Sequence, residues 1–483
     1  MITTIIFALF FAALVGESSV KLDPIMYSSL WRSWFVVLSP LFAPLPMISL
    51  STWQVLLIGL APFCVAASRS APQRSRELDR VIFISIGCIA VTFLWGLTRG
   101  GSGYYAYYQV WRFMTALLLA YLLMSVVRTP RDLAALGKLV VLAALIRATL
   151  CIYFYWAYLN GKVYPMPEYV TNHDDSLLFV AATLILAVWV FLKGGKAAWT
   201  AALLIVPYVF YAVVLNDRRI AWVELALAAP AIYLMLGPGP VRAAINRYAL
   251  FAAPLVLVYV VVGWGREGAI FAPIAALSSA GSNYDPSSLT RQEEIRNLLY
   301  TLTQIGNPVF GTGWGVPYIR LQHYWSNYSA DWTLVLYTPH NSLLGLAVYS
   351  GLVGLIGIWG VIPMAAFLAA RGYRRSTELV PRAGAMVAVG SLVAYTVHCY
   401  GDVGFSSFVC NLLFGAALGS AGKVSAWAAA LAATQPVSAP VGGPRALPRG
   451  TPAYRSTGAA RSRLTPSDVG AHGSRVPPSR LSR

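Results

Sequence analysis

Charge is scarce in this sequence. Only 11% of its residues are charged, against roughly 25% in soluble domains. Acidic residues are scarcest: 18 Asp and Glu stand against 36 Lys and Arg, for a formal net charge of +18. That leaves too little polar surface for a sizeable soluble domain. It does not point to nucleic acid either, because the basic residues sit in short loops between apolar runs and in the C-terminal tail. Cysteine is also sparse, at five: Cys64, Cys88, Cys151, Cys399 and Cys410. None is in a CxxC or Cys/His spacing that suggests metal, and they read as small core residues. No DxD or HExxH motif is present. Gly311-Thr312-Gly313-Trp314-Gly315 lacks the lysine of a phosphate-binding loop. No internal repeat is visible.

Apolar runs fill the rest. The chain has 483 residues, is 58% hydrophobic and has a mean hydropathy of +0.63. This composition predicts an all-α, polytopic integral membrane protein. Met1–Val15 lacks the charged start and cleavage site of a signal peptide, so it reads as a first span. Further runs lie near 33–50, 54–68, 81–97, 109–127, 133–157, 176–192, 198–215, 220–236, 248–264, 342–369, 384–400 and 406–427. That predicts 12 or 13 spans within residues 1–433. Pro40, Pro44 and Pro46 break the second run. Residues 434–483 are rich in Pro, Ser, Gly and Arg without apolar periodicity. They are expected to form a disordered cytoplasmic tail able to touch anionic lipid.

The basic residues set an orientation. Arg69, Arg74, Arg76 and Arg80 share one loop, Arg128 and Arg131 another, Lys193 and Lys196 a third. Arg242 with Arg247, then Arg371, Arg374, Arg375 and Arg382, complete the set. All can be cytoplasmic at once. The opposite side, the periplasm of a bacterium, then carries 98–108, 158–175, the Asn216–Arg219 turn, the long loop 265–341 and 401–405.

Polar chemistry gathers on that second side. His340-Asn341 stands at the mouth of the run that begins at Leu343, with Pro339 suited to the first turn of its helix. Gly351 and Gly354 lie on one face of that helix, where a neighbouring helix can approach closely. In the long loop, Leu289–Ile305 carries apolar residues at helical spacing. Ser288 and Thr290 are plausible caps, and Glu293 and Glu294 fall in the first turn. That helix presents Arg291 and Arg296. Arg218 and Arg219 lie at an outer-face turn against the positive-inside bias. Arginine offers a planar fork of donors matched to phosphate oxygens. Arginines converging with a histidine at a membrane surface suit a lipid diphosphate, with arginine neutralising charge in place of a metal. The loop 158–175, with Tyr164, Tyr169, His173, Asp174 and Asp175, has a composition suited to an acceptor sugar, as do Tyr324, Trp325 and Tyr328. Aromatics also populate membrane interfaces in their own right. His398 and Asp402 flank a late turn on the same side.

The pattern His340-Asn341, nine residues, Gly351, two residues, Gly354 resembles the signature of the O-antigen ligase and O-antigen polymerase superfamily. Asn307-Pro308-Val309-Phe310-Gly311-Thr312-Gly313-Trp314-Gly315 is similar to the Pro/Gly segment that precedes it there. Arg291, with Arg296 as its alternative, resembles the family's loop arginine, and Arg218-Arg219 its other arginine site. The resemblance covers roughly 170–425. It implies a bacterial inner-membrane glycosyltransferase with its site on the periplasmic side, using no cofactor and no metal. The donor would be a glycan on undecaprenyl diphosphate. The acceptor would be a hydroxyl of lipid A–core oligosaccharide, of another lipid-linked glycan in a polymerase, or of a protein in an O-oligosaccharyltransferase. The histidine signature and the single long outer loop lean towards the ligase type. The resemblance further implies inverting transfer with His340 as general base, arginines on the diphosphate, and Asn341, Gly311 and Gly313 in support. Membrane lipids are the remaining expected partners, and nucleic acid is not one. A transporter of lipid-linked sugars stands as the different class, but it would carry ionisable groups at mid-membrane depth, where these runs have almost none.

Overall fold

The computed structural model describes residues 1–16, 42–45, 48–69, 74–163, 170–266, 268, 270–279, 286–321, 334 and 336–434. They belong to a compact unit spanning Met1–Gln435. The tail expected to be disordered lies outside the described residues from 435 onward.

Helix dominates. In chain order the helices are α1 (Ile2–Gly16), α2 (Thr52–Arg69), α3 (Arg76–Thr98), α4 (Gly103–Val126), α5 (Pro130–Phe154) and α6 (Asp174–Lys193). They continue with α7 (Lys196–Leu215), α8 (Arg219–Met235), α9 (Pro240–Gly263), α10 (Ala272–Ser279) and α11 (Pro286–Gln304). The last four are α12 (Ser342–Leu352), α13 (Val361–Arg375), α14 (Leu379–Gly401) and α15 (Phe408–Thr434). Local chemistry marks their starts. Ser75 caps α3 by accepting from the Leu78 amide. Thr129 and Asp132 form a reciprocal capping box on α5, with Pro130 in the first turn, a device that contributes about 1 kcal/mol.

Among the described residues, nine helical segments are long and apolar enough to cross a membrane. This multi-pass architecture agrees with the composition, but the count is below the 12 or 13 expected. Four runs account for the difference. Ile2–Gly16 and Thr52–Ala66 are short for a full crossing, as is α8 at 17 residues. The run at 33–50 is no helix where it is described: Phe42–Leu45 and Ile48–Leu50 pair antiparallel as a small hairpin. Pro44 and Pro46 disfavour helix there.

The segment Phe408–Ala433 is the core of the bundle, with 94% of its apolar stretch buried. α15 packs on α4, α13 and α14, and α14 in turn packs on α6 and α8. Pro240–Gly263, with 0% of its apolar stretch buried, presents its side chains outward.

Alternating helix directions sort the connections to two ends. One end holds the connections at 127–129, 194–195, 236–239 and 376–378, each with Lys or Arg in it or within a turn of it. The other holds the described residues of the connections after α3, α5 and α7, those between α9 and α12, and the turn after α14. Cross-links prove the grouping of this second end. Ser102 N–H donates to Gly315 O at 2.9 Å, and Arg99 Nη2 to Ile305 O at 3.0 Å. The amides of Val170 and Thr171 donate to Asn216 Oδ1 at 3.0 and 2.7 Å.

The span after His340 is not one helix. Gly351 has φ 56° and ψ −148°, which breaks it, and wider π-type turns follow over Val353–Ile358 before α13 begins. The Pro/Gly segment docks at this break. Leu352 and Val353 donate their amides to Pro308 O and Val309 O, each at 3.0 Å. Gly311 (φ 66°), Gly313 (φ 91°) and Gly315 (φ 83°) take left-handed conformations suited to glycine. Thr312 and Gly313 amides reach Val348 O and Tyr349 O at 2.7 and 3.0 Å, so the segment runs between α3 and α12. A Cβ on Gly313 would stand 2.2 Å from the Gly96 Cα. Gly351 and Gly354 were expected to admit a neighbouring helix. Gly351 instead meets the backbone of Val309 and Gly311, in and after the turn at 308–310, and Gly354 meets Ser350 and Leu346 of its own span.

Candidate functional site

His340 is held by α11. Its Nδ1 lies 2.9 Å from Glu294 Oε2, and the next residue's amide, Asn341 N–H, donates to Glu294 Oε1 at 3.0 Å. Both carboxylate oxygens are thereby spent on fixing one histidine and its backbone. Glu294 is 5% exposed and the His340 side chain 35% exposed, so the ring keeps one open edge. Burial of the ring opposes its charge. The hydrogen bond and charge of Glu294 outweigh that, Asp402 adds to them and Arg291 subtracts, so the His340 pKa is raised above its ordinary 6.5. Asn341 caps α12: its Oδ1 accepts from the Leu344 amide at 3.0 Å. Pro339 therefore precedes the cap and does not occupy the helix's first turn. Its ring fills the space beside Gly345.

The sequence reading placed Glu294 in the first turn of its helix. The helix begins earlier, at Pro286, which puts Glu294 in its middle. The overlooked signal is a stripe at spacing i, i+3, i+4, i+7: Glu294, Asn297, Leu298 and Thr301 are all buried. An acid in a buried stripe demands a partner. The same helix separates its two arginines. Arg291 stands one turn before Glu294, and its charge reaches the His340 ring. Arg296 is exposed two residues after Glu294, about 200° around the helix.

The 337–340 segment is clamped from below. Gln109 Nε2 donates to Tyr337 O at 2.7 Å, while its Oε1 accepts from the Gly315 amide at 2.7 Å. Tyr105 and Tyr337 rings stack at 4.0 Å. Gln109 thus ties the Pro/Gly segment to the approach to His340. The roles of Gly311 and Gly313 are in backbone packing beneath the site.

A second histidine–carboxylate pair lies beside the first. His173 Nδ1 is 2.6 Å from Asp402 Oδ2. Arg218 Nη2 lies 3.3 Å from His173 Nε2. Arginine can only donate, so Nε2 is the accepting nitrogen of that contact and Nδ1 the one turned to the Asp402 carboxylate. Burial works against the Asp402 charge, but the bond to His173 and the charge of His173 prevail, so its carboxyl is held well below the usual range. Ser342 Oγ donates to Asp402 O at 3.2 Å and accepts from the Phe405 amide at 3.3 Å, which joins α12 to the turn after α14. No protein-family model matches this chain, and no curated protein matches it closely enough to show a relationship.

The remaining expected residues divide. Arg218 reaches the second pair, and Arg219 opens α8 next to it. Asp174 and Asp175, expected in a sugar-binding loop, are both buried instead. Asp175 Oδ1 pairs with Arg147 at 2.7–2.8 Å, where the two side chains are 0% and 2% exposed. Asp174 sits near His398 and Cys410, and among the described residues these three form the one group able to hold a metal ion. His398 Nδ1 meets Glu224 Oε1 at 2.6 Å, both fully buried. The spans are therefore less free of charge at this end than their hydropathy suggests. Tyr164, Tyr169, Tyr324, Trp325 and Tyr328 lie outside the described residues.

Proposed function

We propose that this chain is an O-antigen-ligase-like glycosyltransferase of the bacterial inner membrane, with its site facing the periplasm. It would move a glycan from undecaprenyl diphosphate to an acceptor hydroxyl, lipid A–core oligosaccharide being the favoured acceptor. The observation that carries this reading is the His340–Glu294 pair, with the ring's other edge open and Arg291 one turn away. Glu294 takes the Nδ1 hydrogen and leaves Nε2 as the proton acceptor, the arrangement a general base needs. In the reaction, the acceptor hydroxyl loses its proton to Nε2 and its oxygen attacks the anomeric carbon. The bond from that carbon to the diphosphate breaks with inversion. The leaving diphosphate gains charge, which Arg291 and Arg219 would neutralise. Arg219 would act from the first turn of α8, where free amides add positive potential. Polymerases and protein O-oligosaccharyltransferases would use the same steps and differ in the acceptor.

The buried Arg147–Asp175 and Glu224–His398 pairs favour a second reading, a carrier of lipid-linked sugars, because ionisable groups inside spans mark transport paths. Purified protein in detergent separates the two. A transferase gives coupled product and free undecaprenyl diphosphate from donor and acceptor, and a His340→Ala protein does not. No turnover in detergent, alongside movement of the donor across vesicles, would overturn the transferase.

A further inference from the structure

We propose that Asp174, His398 and Cys410 bind one divalent transition-metal ion, with zinc best matched, as a structural tie behind the candidate site. The residues come from the first turn of α6, the last turn of α14 and the first turn of α15, and their ligand atoms all lie within 4.8 Å of one another. An independent observation concerns His398. Its ring is fully buried, its Nδ1 is 2.6 Å from Glu224 Oε1, and its Nε2 has no hydrogen-bond partner. Glu224 draws the ring hydrogen to Nδ1 and leaves a buried lone pair on Nε2. No hydrogen bond from Asp174 or Cys410 reaches it. A carboxylate that orients a histidine through one nitrogen while the other faces a cation is the usual surround of a metal-bound imidazole.

The donor set fits the ion. Thiolate, imidazole and carboxylate together suit zinc, and three protein ligands leave a fourth position for water. Binding would displace the Cys410 thiol proton. Two anionic ligands then cancel the dication and leave the charge of Glu224, which is hydrogen-bonded to the ligating ring. All three ligands are buried, so the ion would be enclosed by the bundle. The ion would fasten three helices one turn below Asp402, whose amide donates to His398 O at 2.8 Å. It would touch neither His340 nor the arginines, so this inference does not depend on the proposed reaction.

The test uses full-length protein in detergent without a histidine tag. The protein is loaded with Zn²⁺, passed through gel filtration and assayed by elemental analysis. About one zinc per chain is expected, with at least a tenfold loss in His398→Ala and Cys410→Ser. Co²⁺ loading should give a thiolate-to-cobalt charge-transfer band that Cys410→Ser abolishes. That conservative substitution keeps the volume, so it decides the matter if His398→Ala fails to fold. Substoichiometric zinc in the wild type, or zinc retained equally by the variants and hence an adventitious ion only, would overturn the site.

Discussion

Glu294 grips His340 twice, through the ring at 2.9 Å and through the following amide at 3.0 Å. One carboxylate therefore sets both the basicity of the imidazole and the direction in which it points.

This coupling has a pH signature. Only the neutral ring can accept a proton, and its pKa is raised, so transfer should fall as pH drops through a value above 6.5. Glu294→Gln removes the charge that holds the proton. The acid limb of the rate profile should move to lower pH, and the plateau should fall by about tenfold or more, or ~1.4 kcal/mol. A limb that stays in place would show that His340 does not titrate in the reaction.

His340→Ala should lose transfer by roughly 10²–10⁴, the usual range for a general base. Donor binding, measured by tritiated lipid-linked glycan in detergent, should be retained. A defect confined to donor binding would place His340 with the arginines and send the search for a base to His173.

The arginines of α11 should part company. Arg291→Ala removes a charge-assisted contact worth about 1.5–3 kcal/mol and should weaken donor binding by roughly 10- to 100-fold. Arg291→Lys should recover only part of it, because lysine lacks the fork. Arg296→Ala should leave donor binding within about twofold, since Arg296 stands about 200° around the helix from Glu294 and so away from His340. Equal effects from both would remove the distinction that the helix geometry draws.

Arg147→Ala should reduce folded protein, leaving Asp175 an unpaired buried charge at a cost of about 3–5 kcal/mol. Thermal unfolding in detergent should show it, while any protein that survives should bind donor normally. A stable variant with weakened acceptor affinity would return Asp175 to the acceptor site.

Topology can be read with a membrane-impermeant thiol reagent, using chains whose five native cysteines are replaced. A cysteine at exposed Arg291 should label in cells with a permeabilised outer membrane, and one at exposed Arg374 should not. The reverse pattern would put His340 in the cytoplasm and end the diphosphate-glycan reading.

Much of the bundle was legible in the sequence, because a membrane span writes its length and hydropathy directly into the chain. His340 was legible for a related reason, as a titratable ring at the mouth of an apolar run. Glu294 and Gln109 were not, since nothing local marks which distant polar group will face a histidine or clamp a loop. Asp175 was misread because a carboxylate just before a span looks like loop, and its partner Arg147 lies in another helix. Gly351 was misread because a glycine in an apolar run carries no sign of whether it admits a neighbour or breaks the helix.

The break at Gly351 also bears on how the protein is made. A span interrupted there exposes backbone amides that lipid cannot satisfy. The carbonyls that satisfy them belong to Pro308 and Val309, which leave the ribosome first. Synthesis runs from the N-terminus, so the receiving turn has already been made when the interrupted helix emerges. Reversing that order by circular permutation between the two would leave the span waiting in the bilayer for its partner.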